Sequence, residues 1–104
     1  MTLLEKVLVV SDTDSVGIMP ALAKTTEELG ELAAAVLAFT GQPNVSASAD
    51  DNVLEEATDL LICALDIAYK AGHTPAQIET MAEVKLQKWI RKIQTNQQSG
   101  DREA

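Results

Sequence analysis

Residues 24–36, KTTEELGELAAAV, and residues 52–68, NVLEEATDLLICALDIA, decide how this chain is read. Each segment carries the pattern EExx(E/D): Glu27, Glu28 and Glu31 in the first, Glu55, Glu56 and Asp59 in the second. At 3.6 residues per turn, positions i, i+1 and i+4 cluster on a helix, so each segment presents three carboxylates within about one turn. Like charges at i, i+4 repel by a few tenths of a kcal/mol. Lys24 is the one cation placed to relieve the first cluster, and the second has no Lys or Arg within four residues. A hard divalent cation would offset the repulsion if the two clusters face each other, because Mg²⁺ and Mn²⁺ take oxygen ligands in near-octahedral geometry. The other reading is a pair of solvated acidic faces, with the acids near a helix start favoured by its dipole. Around Glu55, Glu56 and Asp59, however, Leu60, Leu61, Ile62, Leu65, Ile67 and Tyr69 spread over most of the helix circumference. A helix this apolar packs on several sides, as a central bundle helix or one at a subunit interface.

Working outward, the punctuation predicts four helices and an all-α, four-helix bundle-like fold. Thr2 and Glu5 form a capping box for a short first helix over Leu3 to Val10, where the β-branched run VLVV leaves a strand as the alternative. Pro20 suits a first helical position, and the second helix runs on through Phe39, weakened only by Gly30. A loop follows at GQPNVSASADD, then a third helix over Asp51 to Ala71 that Gly72 ends. Thr74, Pro75 and Gln77 start the fourth, which runs to about Gln94; the polar residues 96–104 read as a fraying tail behind a single domain of residues 1–95.

Composition narrows the function. The chain has 104 residues and a formal charge of −8, with 8 Lys and Arg against 16 Asp and Glu. So few cations argue against nucleic-acid binding, which needs clustered Lys and Arg. Phe39, Trp89 and Tyr69 are the only aromatics, which leaves no stacking platform for single strands. The single cysteine, Cys63, excludes an intrachain disulfide, suits a cytoplasmic location and reads as a small buried hydrophobe. His73, between Gly72 and the Thr74 cap, reads as a connector residue. No secretory leader is evident at the start, and no stretch approaches the ~20 apolar residues of a membrane span. A domain this small gains from a partner subunit.

The two acid segments resemble the MazG-like nucleotide pyrophosphohydrolases, an all-α superfamily with an ExxE motif on one helix and an ExxD motif on the next. Here the motifs are Glu28 to Glu31 and Glu56 to Asp59, separated by 24 residues, and the resemblance covers residues 21–92. It implies a Mg²⁺-binding homo-oligomer, dimer or tetramer, that hydrolyses nucleoside triphosphates to monophosphate and pyrophosphate and so tends the nucleotide pool. Mn²⁺ is a possible substitute. By the motif, Glu28, Glu31, Glu56 and Asp59 would hold the metal, and Glu27 and Glu55 would support it or position the attacking water, with Glu27, Glu28 and Glu55 as the candidate catalytic acids. A carboxylate-only site cannot take a triphosphate without metal, because both are negative.

Cations should complete such a site. Lys85, Lys88 and Lys92 share a face of the fourth helix and would contact phosphates, or else complement the helix dipole. Relatives often carry a K-x-x-(K/R)-N segment; here Lys88 is followed by Trp89, a departure at the phosphate contacts. Asn52 and Asp66 lie one turn before Glu56 and two turns after Asp59, where they would read the base or support the metal. Trp89 either stacks on a base or belongs to a core.

Three rival readings remain. A phosphoribosyl-ATP pyrophosphohydrolase of histidine biosynthesis shares size, fold and metal, but tends to have a GEE segment and a histidine soon after the ExxD aspartate, where this chain has Thr26-Glu27-Glu28 and Ile62-Cys63. A non-catalytic helical dimerisation module would leave the acids solvated. A helical chorismate mutase would need several cations around a dicarboxylate, and the only arginines are Arg91 and Arg102.

Overall fold

A computed structural model describes the backbone of residues 1–41 and 52–103, and side chains to residue 97. The loop read at residues 42–51, with Asp51 as a helix start, lies outside the described residues. The described residues are all-helical: α1 Leu3–Thr13, α2 Ile18–Phe39, α3 Val53–Lys70 and α4 Pro75–Glu103. They form two compact units, Met1–His73 and Thr74–Ala104. Among them no helix is long and apolar enough to cross a membrane.

Local chemistry sets most ends. The Thr2 hydroxyl accepts from Glu5 N–H at 3.2 Å, while the Glu5 carboxylate accepts from Thr2 N–H at 3.0 Å, completing the capping box. The same reciprocal pair, Thr74 and Gln77, opens α4. At the end of α3, Gly72 takes φ +97°, its N–H bonds to Tyr69 C=O and His73 N–H bonds to Ala68 C=O. That pair of bonds satisfies two orphan carbonyls and requires a left-handed residue, which glycine adopts without strain.

Four boundaries differ from the sequence expectation. α3 begins at Val53 and not at Asp51, because Asn52 is its extended N-cap, with its side chain accepting from Glu55 N–H. α1 runs a further turn beyond Val10 to Thr13, because Ser11 is buried and its hydroxyl donates to Asp66 Oδ1 at 2.6 Å. Tertiary contact extends the helix there, and the strand alternative for VLVV falls away. α2 begins at Ile18, so Pro20 is its third residue and not its first; the first four N–H groups of a helix have no partner within it, and proline's missing donor costs nothing there. α4 continues through the polar stretch expected to fray, to Glu103.

In the first unit α3 packs on both α1 and α2. Val7, Ala21, Ala35, Leu65 and Tyr69 form its buried apolar core. Besides the Ser11–Asp66 bond, two further polar ties fasten the α1 segment to α3. The buried Tyr69 hydroxyl donates to Leu4 C=O at 2.6 Å. Lys70 Nζ donates to Asp66 Oδ1 at 2.7 Å and to Asp14 Oδ2 at 3.2 Å, with its side chain only 10% exposed. The bond to Asp66 holds the Lys70 ammonium above its ordinary pKa, and the Val16 N–H together with Lys70 holds Asp14 below its own. Asp14's contribution is therefore lost only as pH falls below the carboxylate range, and Lys70's only as pH rises above the lysine range, so this tie is insensitive to pH near neutrality.

Tyr69→Phe deletes one part-buried bond between α3 and α1. Chemical denaturation should show a loss of about 1 kcal/mol with an unchanged m-value.

Candidate metal centre

α2 and α3 pack against each other and bring Glu28 of the first acid segment beside Glu56 and Asp59 of the second. Glu28 on α2 and Glu56 on α3 are buried, at 5% and 9% exposure, and Asp59 is half-buried. One carboxylate oxygen from each of these three lies within 4.8 Å of the others. Among the described residues, neither Glu28 Oε2 nor Glu56 Oε2 has a hydrogen-bond partner. Buried carboxylate oxygens without partners are costly and rarely left so.

The electrostatics register that cost. Burial pushes the Glu56 carboxyl above its ordinary pKa, and the neighbouring Glu31, Asp59 and Glu28 carboxylates push it the same way. Glu28 has a countercharge: Lys24 Nζ sits 3.0 Å from its Oε1 and 3.6 Å from Glu27 Oε2. These acids hold the Lys24 ammonium above its ordinary value, Glu28 most of all. Cys63, half-buried on α3, has its thiol pushed up by burial and then by Glu28.

The other residues singled out in the sequence take varied places. Glu31 is exposed, beside Glu56 but outside the group of three. Glu27 is exposed and reaches Lys24. Glu55 occupies the third position of α3, where its N–H donates to the Asn52 side-chain oxygen and its carboxylate accepts from Asn52 Nδ2 at 3.5 Å. Asn52 and Glu55 thus cap α3. Asp66 is held by Ser11 and Lys70, in the tie to α1. Lys85, Lys88 and Lys92 are exposed on α4, within the second unit, and Trp89 is 63% exposed there, not in a core. Cys63 is less buried than expected, and His73 is an exposed connector. Sequence reading undervalued two residues. Lys24 was visible as a cation one turn before Glu28, and Lys70 stands at i+4 from Asp66, the spacing that captures a carboxylate on a helix.

The trio suits a hard cation. With metal–oxygen distances of about 2.1 Å, oxygens around Mg²⁺ lie at most about 4.2 Å apart, so a sub-ångström contraction would bring these three onto one ion. No family model, no curated protein and no solved structure matches the chain.

The raised Glu56 pKa has a definite sign in stability. Below the ordinary glutamate value of about 4.3 the group is protonated both folded and unfolded and costs nothing. As pH rises from there through the raised folded value, ionisation opposes the fold and stability falls. Metal-free protein should therefore melt at a higher temperature at pH 5 than at pH 7. Glu56→Gln should melt above the parent chain at pH 7 and flatten that dependence, as followed by circular dichroism.

Proposed function

We propose that this chain is a Mg²⁺-dependent nucleoside triphosphate pyrophosphohydrolase of the MazG-like kind, cleaving a ribo- or deoxynucleoside triphosphate to its monophosphate and pyrophosphate. The observation that carries the reading is the pair of buried, unpartnered oxygens, Glu28 Oε2 and Glu56 Oε2, grouped with Asp59 across two helices. Solvated acidic faces would leave those atoms in water. Glu28, Glu56 and Asp59 would hold the ion, which supplies Lewis acidity toward phosphate oxygens and a lowered pKa for bound water. Glu31, next to Glu56 and open to solvent, would position the attacking water or accept its proton. The α3 cap through Asn52 and Glu55 stiffens the turn that carries Glu56.

Further along the α2–α3 seam lies an apolar groove of about 380 Å³, lined by Ala35, Ala38, Phe39, Asn52, Val53 and Leu54. It supports a nucleoside substrate, because a base needs an apolar surface within reach of the phosphate site. A homo-oligomer, dimer or tetramer, is part of the proposal. Leu22, Leu29 and Val36 recur every seven residues on α2, as do Leu54 and Leu61 on α3, and all five are at least 40% exposed. Apolar residues at this spacing form the seams by which helices associate.

With Mg²⁺ present, the chain should release pyrophosphate from at least one member of a panel of ordinary, deoxy- and damaged triphosphates, and phosphoribosyl-ATP should be the poorer substrate. Asp59→Ala, which removes a metal ligand, and Glu31→Ala, which removes the acid beside the attacking water, should each lower the rate by about 100-fold or more. Undiminished pyrophosphate release by either variant would refute the site. Absence of both turnover and any Mg²⁺-dependent melting shift would favour a dimerisation module.

A further inference from the structure

We propose that Lys24 is the cation that binds a substrate phosphate beside the carboxylate trio, an inference that rests on the metal-dependent reading above. Residues 1–73 carry twelve acids and three lysines, Lys6, Lys24 and Lys70, with no arginine, for a formal charge of −9. A polyphosphate approaching this unit meets a repulsive field, which a mobile positive charge beside the metal would offset. Lys70 is committed: its side chain is 10% exposed and held between Asp66 and Asp14. Lys6 is on α1, which the acid trio does not include. Lys24 differs from both. Its side chain is 58% exposed, yet its Nζ reaches 3.0 Å from the buried Glu28 carboxylate, one of the trio.

The geometry divides the Glu28 carboxylate between two tasks. Oε1 faces Lys24, and Oε2 is the unpartnered oxygen. An ammonium carries three donors, so Lys24 can keep Glu28 and still offer a proton to a phosphate oxygen. Its other ion pair, with Glu27, is a surface contact at 3.6 Å with a 68% exposed side chain, and such pairs are weak enough to exchange for a phosphate. Lysine recognises phosphate as a point charge and needs no fixed fork, which suits a long stem anchored on a helix rim.

The test uses the full-length chain and two probes, Mn²⁺ alone and inorganic pyrophosphate in saturating Mn²⁺, each followed by calorimetry. Lys24→Gln should bind Mn²⁺ as well as the parent chain or more tightly, because a neighbouring positive charge is gone. Its affinity for pyrophosphate should fall about 10-fold or more, while Lys24→Arg, which keeps the charge, should retain most of it. Pyrophosphate binding unchanged in Lys24→Gln would overturn the inference and leave the metal centre standing. A parallel loss of Mn²⁺ and pyrophosphate would also overturn it, since Lys24 would then only be holding Glu28 in place. Failure of the parent chain to bind Mn²⁺ would remove the metal-dependent reading itself, and this inference with it.

Discussion

Two carboxylates buried side by side, with one oxygen each left unpartnered, constrain everything else in the first unit. Glu28 and Glu56 repel each other, and burial penalises their charge, so the rest of the unit must hold α2 against α3 despite them. Ala35, Leu65 and the other core residues supply apolar burial, but that core is small, and much apolar surface on α2 and α3 stays exposed. The ties from α1 therefore matter. Tyr69 bonding to Leu4, and Lys70 bridging Asp66 and Asp14, fix the far half of α3 by contacts that do not respond to pH near neutrality. The half of α3 that carries Glu56 and Asp59 is then free to bear an electrostatic cost. Stability sacrificed at one end of a helix and recovered at the other is the pattern expected of a functional site.

The division of labour along α3 also separates residues that look alike in sequence. Glu55, Glu56, Asp59 and Asp66 are four acids on one helix. Glu55 caps it, Glu56 and Asp59 face Glu28, and Asp66 pairs with Lys70 and Ser11. Charge alone does not distinguish them; burial and partners do. The same holds for the lysines of residues 1–73, where Lys70 is locked and Lys24 retains half its surface.

What was legible in the sequence was local. The Thr2–Glu5 and Thr74–Gln77 boxes and the Gly72 stop depend on residues three or four apart, and each stands where its spacing places it. The repeated pattern marked both acid segments, but not which acids would meet: of the six, only Glu28, Glu56 and Asp59 come together. Long-range contacts were not legible. Nothing near Ser11 announces that α1 continues past Val10, because the reason is an aspartate fifty-five residues away. Asp66 read as part of the acidic strip because helical phase puts it there, and only its pairing to Lys70 and Ser11 assigns it to structure. Asn52 read as a site residue for the same reason, although a residue just before VLEE is equally the natural cap. Trp89 shows the limit of composition: an amphipathic helix suggests a buried face without saying what covers it.

A metal-dependent reaction at this site requires one ion among Glu28, Glu56 and Asp59. Crystals of the full-length chain grown with Mn²⁺, measured on both sides of the manganese absorption edge, address this directly. The account predicts an anomalous peak bonded to oxygens of all three residues, at about 2.2 Å. An ordered pocket with no such peak at saturating Mn²⁺, or with the three carboxylates turned apart into solvent, would contradict it.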